Sequence, residues 1–185
     1  MSKHQEILPR IVDLIRQVDP ACGIVLFGSV AAGRERPESD LDLLVVGHQY
    51  KEIRFADFRV VHEENGMGLV RGHIEGITVD LACWPAGLLA RSMTATPYMF
   101  YPFSLGKILH DPDGLARQHV QTARDYFHAN RDIADAWAEQ LAKFRRHQLD
   151  RSYELEFPEW GDFVKHLGST IGQRRTNNEK HPGQG

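Results

Sequence analysis

Leu26-Phe27-Gly28-Ser29, followed after ten residues by Asp40-Leu41-Asp42-Leu43-Leu44-Val45-Val46, is the stretch that decides how this chain folds. An apolar run of strand-forming residues, Ile24 to Phe27, ends at Gly28-Ser29, and a second run, Leu41 to Val46, opens on two acidic residues. The pattern reads as strand, turn, short helix over 29–34, and strand. In an extended strand side chains two apart share a face, so Asp40 and Asp42 project together while Leu41 and Leu43 take the other side. Paired carboxylates repel each other unless a cation lies between them, and oxygen donors of this kind suit Mg²⁺. Gly28 lets the backbone approach a ligand closely, the amides of Val30-Ala31-Ala32 open the next helix at its positive end, and Ser29 adds a hydroxyl. One element is thus expected to hold phosphates and the next a metal that neutralises them.

Upstream, Ile7, Ile11, Ile15 and Val18 fall at helical spacing over residues 4–18, an amphipathic packing helix ended by Asp19-Pro20. Downstream, residues 52–64 are read as a helix through Ile53, Ala56 and Val60, although Phe58-Arg59-Val60-Val61 also fits an extended piece. Met67 to Trp84 reads as a hairpin turning at Glu75-Gly76. In its second strand Ile77, Val79, Leu81 and Cys83 form the apolar phase. Asp80 shares the opposite phase with Thr78 and Ala82, which places a carboxylate inside a sheet on a face of small residues. Beyond Pro85 the aromatic segment 98–103 reads as an irregular wall, either core or the lip of an acceptor pocket. Lys107-Ile108-Leu109-His110 is a short extended piece, and helices are expected at 113–129, 131–149 and 158–172. The polar end 174–185 reads as a disordered tail.

A chain of 185 residues with 42% hydrophobic content suits one compact domain or a catalytic core with a helical appendage. The formal net charge of −3 gives no global attraction to nucleic acid. Cys22 and Cys83 belong to no C-x-x-C pair, which argues against a zinc or disulfide framework and for a reducing cytosol. The first residues lack the apolar core of a signal peptide, and no apolar run approaches the ~20 residues of a membrane span. A soluble, cytoplasmic protein is expected.

Taken together, Gly28-Ser29, Asp40-Leu41-Asp42 and the later Asp80 resemble the nucleotidyltransferase superfamily related to DNA polymerase β. Its pattern is Gly-Ser, a spacer, Asp-x-Asp and a third acidic residue on a downstream strand. Val30-Ala31-Ala32-Gly33 and Ser39-Asp40-Leu41-Asp42-Leu43 look most like the prokaryotic minimal nucleotidyltransferases and, more distantly, the aminoglycoside nucleotidyltransferases. The resemblance covers residues 4–84. It implies a small mixed α/β (α+β) sheet with flanking helices and a C-terminal helical bundle: a catalytic domain over 1–110, a helical subdomain over 111–173, and the tail. It also implies transfer of a nucleoside monophosphate from a nucleoside triphosphate, with ATP as the expected co-substrate, to a small-molecule or protein hydroxyl. Asp40 and Asp42 would bind two Mg²⁺ ions, Asp80 would complete the site as ligand or base, and Gly28 and Ser29 would hold the β- and γ-phosphates. The expectation requires that the carboxyl of Asp80 face the other two and not be pinned by an arginine so that no ion could enter.

Competing motifs fail. Gly28-x4-Gly33 is followed by Arg34-Glu35 where a P-loop needs Lys then Ser or Thr, and Gly66-x-Gly68-x-x-Arg71 lacks the third glycine of a dinucleotide fingerprint. The histidines, His62, His73, His110 and His166 among them, lack ligand spacing and read as structural. Lys143, Arg145, Arg146, His147 and Arg151 read as a solvated helix face. Two rival functions stand beside the enzyme: a catalytically silent regulatory or antitoxin-like partner-binding module of the same fold, and tail addition to RNA, which the charge and the absence of an aromatic-basic platform disfavour.

Overall fold

The computed structural model describes residues 2–47, 50–52, 57–150, 162–163 and 165–169. Its centre is a six-stranded sheet in the order β3-β4-β5-β2-β1-β6. The strands are β1 (Gly23–Phe27), β2 (Leu41–Val46), β3 (Arg59–Glu64), β4 (Met67–Ile74), β5 (Ile77–Trp84) and β6 (Lys107–His110). All neighbours run antiparallel except β2 and β5, which are parallel.

Period-two burial decides what covers each face. The phase Leu41, Leu43 and Val45 of β2, with Ile24, Leu26, Val70, Val79 and Leu81, is buried together with Ile7, Ile11 and Ile15 of α1 (Lys3–Val18). Ser2 caps that helix in a reciprocal capping box with Gln5. The opposite phase, Val25, Leu44 and Val46, packs with Leu89 and Met93 of α3 (Ala86–Ala95), with Phe100, and with Ala116, Val120 and Ala123 of α5 (Leu115–Ala129). Between them lie the four-residue α2 (Gly28–Ala31) and α4 (Tyr101–Ser104). The aromatic segment joins this second core: Phe27 meets Phe103 edge-on at 5.2 Å, and Trp84 meets Phe100 at 5.8 Å.

Two sequence expectations change. The helix expected over 52–64 is strand β3 from Arg59 to Glu64, while residues 53–56 lie outside the described residues. β3 pairs antiparallel with β4 through a turn at Asn65-Gly66, whose φ angles of 51° and 81° make it a two-residue hairpin turn. Phe58, read as part of the same helix, is instead buried over Gly72, where an added Cβ would lie 2.3 Å from its ring. Between Pro85 and Pro97, where no element was expected, α3 buries Leu89 and Met93 one turn apart. The other strands agree with the sequence reading, and α5 and α6 (Arg131–Asp150) with two of the three late helices. Of the helix expected over 158–172, residues 162–163 and 165–169 are described, all helical, and the expected tail lies outside the described residues.

The chain divides into two compact units, the first ending at Tyr126 and the second beginning at Phe127. The division falls inside α5 because Ala116, Val120 and Ala123 belong to the core of the first unit. In the second, Trp137 is buried and meets Phe163 edge-on at 5.0 Å. No helix among the described residues is long and apolar enough to cross a membrane.

Candidate active site

The site lies on the sheet face that carries Val25 and Leu44, at the ends of β2 and β5. Asp42 is the one residue of β2 that is not fully buried, on the phase of Leu44 and Val46. Because β2 and β5 are parallel and Leu41 is aligned with Val79, Asp42 stands directly beside Asp80. Adjacent strands are about 4.8 Å apart, so the two carboxylates face a common space. Asp40, just before β2, stays open to solvent and takes a hydrogen bond from the Thr78 side chain on β5. The three carboxylates named from the sequence are thereby brought together.

Gly28 explains how they fit. It has a φ of +71°, and a Cβ there would lie 2.0 Å from Oδ2 of Asp42. A side chain at position 28 would drive the Asp42 carboxyl out of its place. The sequence reading assigned this close approach to a ligand; the structure places the Asp42 carboxyl itself against the glycine. Ser29 follows, half-buried at the start of α2.

Electrostatics mark the cluster as short of positive charge. Burial, then the charges of Asp80 and Asp40, push the Asp42 carboxyl up to about 7, with Arg71 opposing. Asp40, though open on one side, is raised by partial loss of water around its carboxyl and by Asp80, an effect that Arg71, Thr78 and His73 reduce only in part. Both oxygens of Asp80 accept from Arg71, Oδ1 from Nε at 2.7 Å and Oδ2 from Nη2 at 2.7 Å. This forked, charge-assisted pair is the strong geometry for a carboxylate.

Sequence reasoning missed Arg71, Thr78, His73 and His4. The first three follow from the hairpin turn: pairing Ile74 with Ile77 sets His73 opposite Thr78 and Arg71 opposite Asp80. Continued across the sheet, the same line reads Arg59 on β3, Arg71, Asp80, Asp42, and Phe27 on β1. Two cations, two carboxylates and an aromatic ring are set side by side. His4, 2% exposed, donates from Nε2 to the backbone oxygen of Ser39 at 2.7 Å, which anchors the residue before Asp40. No spacing rule announces that contact.

The donor set can be tested against a metal. Asp40 and Asp42 offer hard oxygen donors in a locally anionic setting, which fits a divalent cation such as Mg²⁺. Both oxygens of Asp80 already accept from Arg71, and among the described residues no group of three or more His, Cys, Asp or Glu is placed to hold a metal ion. The fit is therefore to the pair Asp40 and Asp42; Asp80, expected as a third ligand not pinned by an arginine, is instead paired on both oxygens with Arg71.

Residues 8–87 match the family model of the nucleotidyltransferase domain, a span that contains Gly28, Ser29 and all three aspartates. These residues form a nucleotidyltransferase domain. No curated protein matches the chain in sequence. Among solved structures, a nucleotidyltransferase-like protein from Exiguobacterium sibiricum is similar over 90% of this chain and 53% of its own, at 14% identity and a TM-score of 0.42. A cytoplasmic RNA terminal U-transferase is similar over 57% of this chain, at 18% identity and a TM-score of 0.37. The Cid1 poly(U) polymerase is similar over the same share, at 17% identity and 0.36. This chain spans 38% of the U-transferase and 40% of Cid1. The nucleotidyltransferase domain lies within the first compact unit, and its mixed sheet agrees with the fold the sequence implied.

Proposed function

We propose that the chain transfers a nucleoside monophosphate from a nucleoside triphosphate, ATP first among them, to an acceptor hydroxyl on a small molecule or a protein. The observation that carries this reading is the aligned Asp42 and Asp80 with Asp40 beside them, a carboxylate cluster that lifts Asp42 to about 7. In this reading Asp40 and Asp42 hold Mg²⁺, and Gly28 and Ser29 face the β- and γ-phosphates. Bound Mg²⁺ supplies charge neutralisation for the triphosphate and the leaving pyrophosphate. The chain's own part is positioning. β2 fixes the two carboxylates, Gly28 leaves the space that Asp42 occupies, and Thr78 orients Asp40. A bond forms between the acceptor oxygen and the α-phosphorus, the bond to the β-phosphate oxygen breaks, and the hydroxyl proton passes to a base, the role we assign to Asp80 once it is free of Arg71. Residues 1–110 would carry this chemistry in a cytoplasmic protein.

The test is incubation with α-³²P nucleoside triphosphates and Mg²⁺ against panels of small molecules, proteins and RNA. The expected result is label transfer that Asp42→Ala abolishes. Transfer undiminished in that variant, or none to any acceptor, overturns the proposal. The ion pair at Asp80 favours the second reading, a silent partner-binding module. That reading requires that Mg²⁺ and nucleotide leave the melting temperature unchanged.

A further inference from the structure

We propose that Arg71 is a positioning residue that acts as a built-in counter-cation: it holds Asp80 while the site is free of metal and gives it up when a divalent cation binds at Asp40 and Asp42. This inference rests on the proposed function, because it takes Asp40 and Asp42 as the cation's first ligands. Three observations carry it. Arg71 engages both oxygens of Asp80 at 2.7 Å, one lone pair of each, so the guanidinium competes directly with a cation for that carboxylate. The side chain of Arg71 is 44% exposed whereas that of Asp80 is 14% exposed, so the guanidinium has solvent to move into and the carboxylate does not. Asp42, directly beside Asp80 and packed against Gly28, has no such cationic partner among the described contacts.

Geometry makes the exchange local. Arg71 and Asp80 sit opposite each other in the hairpin, and Asp80 and Asp42 sit opposite each other in the parallel pair. Rotation of one long side chain is enough to transfer Asp80 from the guanidinium to a cation between β2 and β5, with no change in the sheet. A planar, forked guanidinium suits the holding role, since it satisfies a carboxylate on both oxygens where an ammonium is a point charge. The arrangement keeps three neighbouring carboxylates from facing one another unscreened before metal arrives.

The experiment measures binding of Mn²⁺ alone, by loss of the free-ion electron paramagnetic resonance signal, to the full chain and to Arg71→Gln, Asp80→Asn and the double variant. Removing a competitor for Asp80 is expected to tighten Mn²⁺ binding roughly ten-fold in Arg71→Gln. In the Asp80→Asn background the same substitution is expected to have little effect, because the contest it settles is gone. Equal gains in both backgrounds make Arg71 a distant charge only and overturn the proposal, as does no gain in either. Arg71→Lys is the companion variant: a weaker holder that keeps the charge should give an intermediate affinity, and an affinity equal to the native chain's counts against the proposal should Arg71→Gln not fold. Mn²⁺ binding that is absent throughout, or unaffected by Asp42→Asn, instead overturns the assignment of Asp40 and Asp42, so the two failures are told apart.

Discussion

The two faces of the sheet are built from the same strands yet do opposite work. On one, Leu41, Leu43, Val45 and their neighbours meet Ile7, Ile11 and Ile15 of α1, and every position is apolar and buried. On the other, Leu44 and Val46 are covered by α3, α5 and the aromatic segment, while Asp42, two residues earlier on the same phase, stands beside Asp80, itself paired with Arg71, instead of under a hydrophobic cover. The first face holds the strands in register, and the second uses that register to set like charges side by side.

Substitutions should separate these roles. The largest effect on stability is expected at the closed face, where Ile11→Ala leaves a cavity at a fully buried position and should cost about 2–5 kcal/mol in chemical denaturation. Next comes the charge on the open face. The Asp42 carboxyl is raised from 3.8 to about 7, so between those values the folded protein keeps a proton that the unfolded chain releases. Stability from this group is therefore greatest below about pH 4, falls as pH rises toward 7, and is level above. The fall is expected to reach at most about 4 kcal/mol in metal-free buffer, less whatever solvent screens. Denaturation of Asp42→Asn across pH 4–8 should show that slope flattened. A smaller cost, about 1–3 kcal/mol, is expected for Gly28→Ala, which combines a positive φ with the 2.0 Å approach to Asp42. Its signature in a titration is cation affinity lost along with stability. Least of all, Val61→Thr on the exposed strand β3 should change stability by under about 0.5 kcal/mol.

The closed face was legible in the sequence because it is written in local periodicities. Ile7, Ile11 and Ile15 repeat at helical spacing, β1, β2 and β5 are apolar runs, and Glu75-Gly76 marks its hairpin. Gly28, Ser29, Asp40, Asp42 and Asp80 were named from their order along the chain. What the sequence obscured was pairing. Val60-Val61 reads equally as helix or strand until Asn65-Gly66 is recognised as a turn, and that dipeptide was the available signal for β3. Arg71 could be set opposite Asp80 by counting back from Glu75-Gly76, since a two-residue turn fixes every partner in its hairpin. The alignment of Asp42 with Asp80 has no such local rule. It depends on parallel pairing across an interval of more than thirty residues, which packing of the whole sheet decides. The His4 contact that anchors Ser39 is of the same kind.

The central claim is that the carboxylate pair on the open face receives a divalent cation together with a nucleoside triphosphate. Thermal unfolding of the native chain and of Asp42→Asn, each with ATP in the presence of Mg²⁺ or of a chelator and each read against its own ligand-free baseline, tests it most directly. The account requires stabilisation of the native chain by ATP with Mg²⁺, absent with chelator and absent in Asp42→Asn. Equal stabilisation of both proteins, or the same shift with and without Mg²⁺, would contradict it.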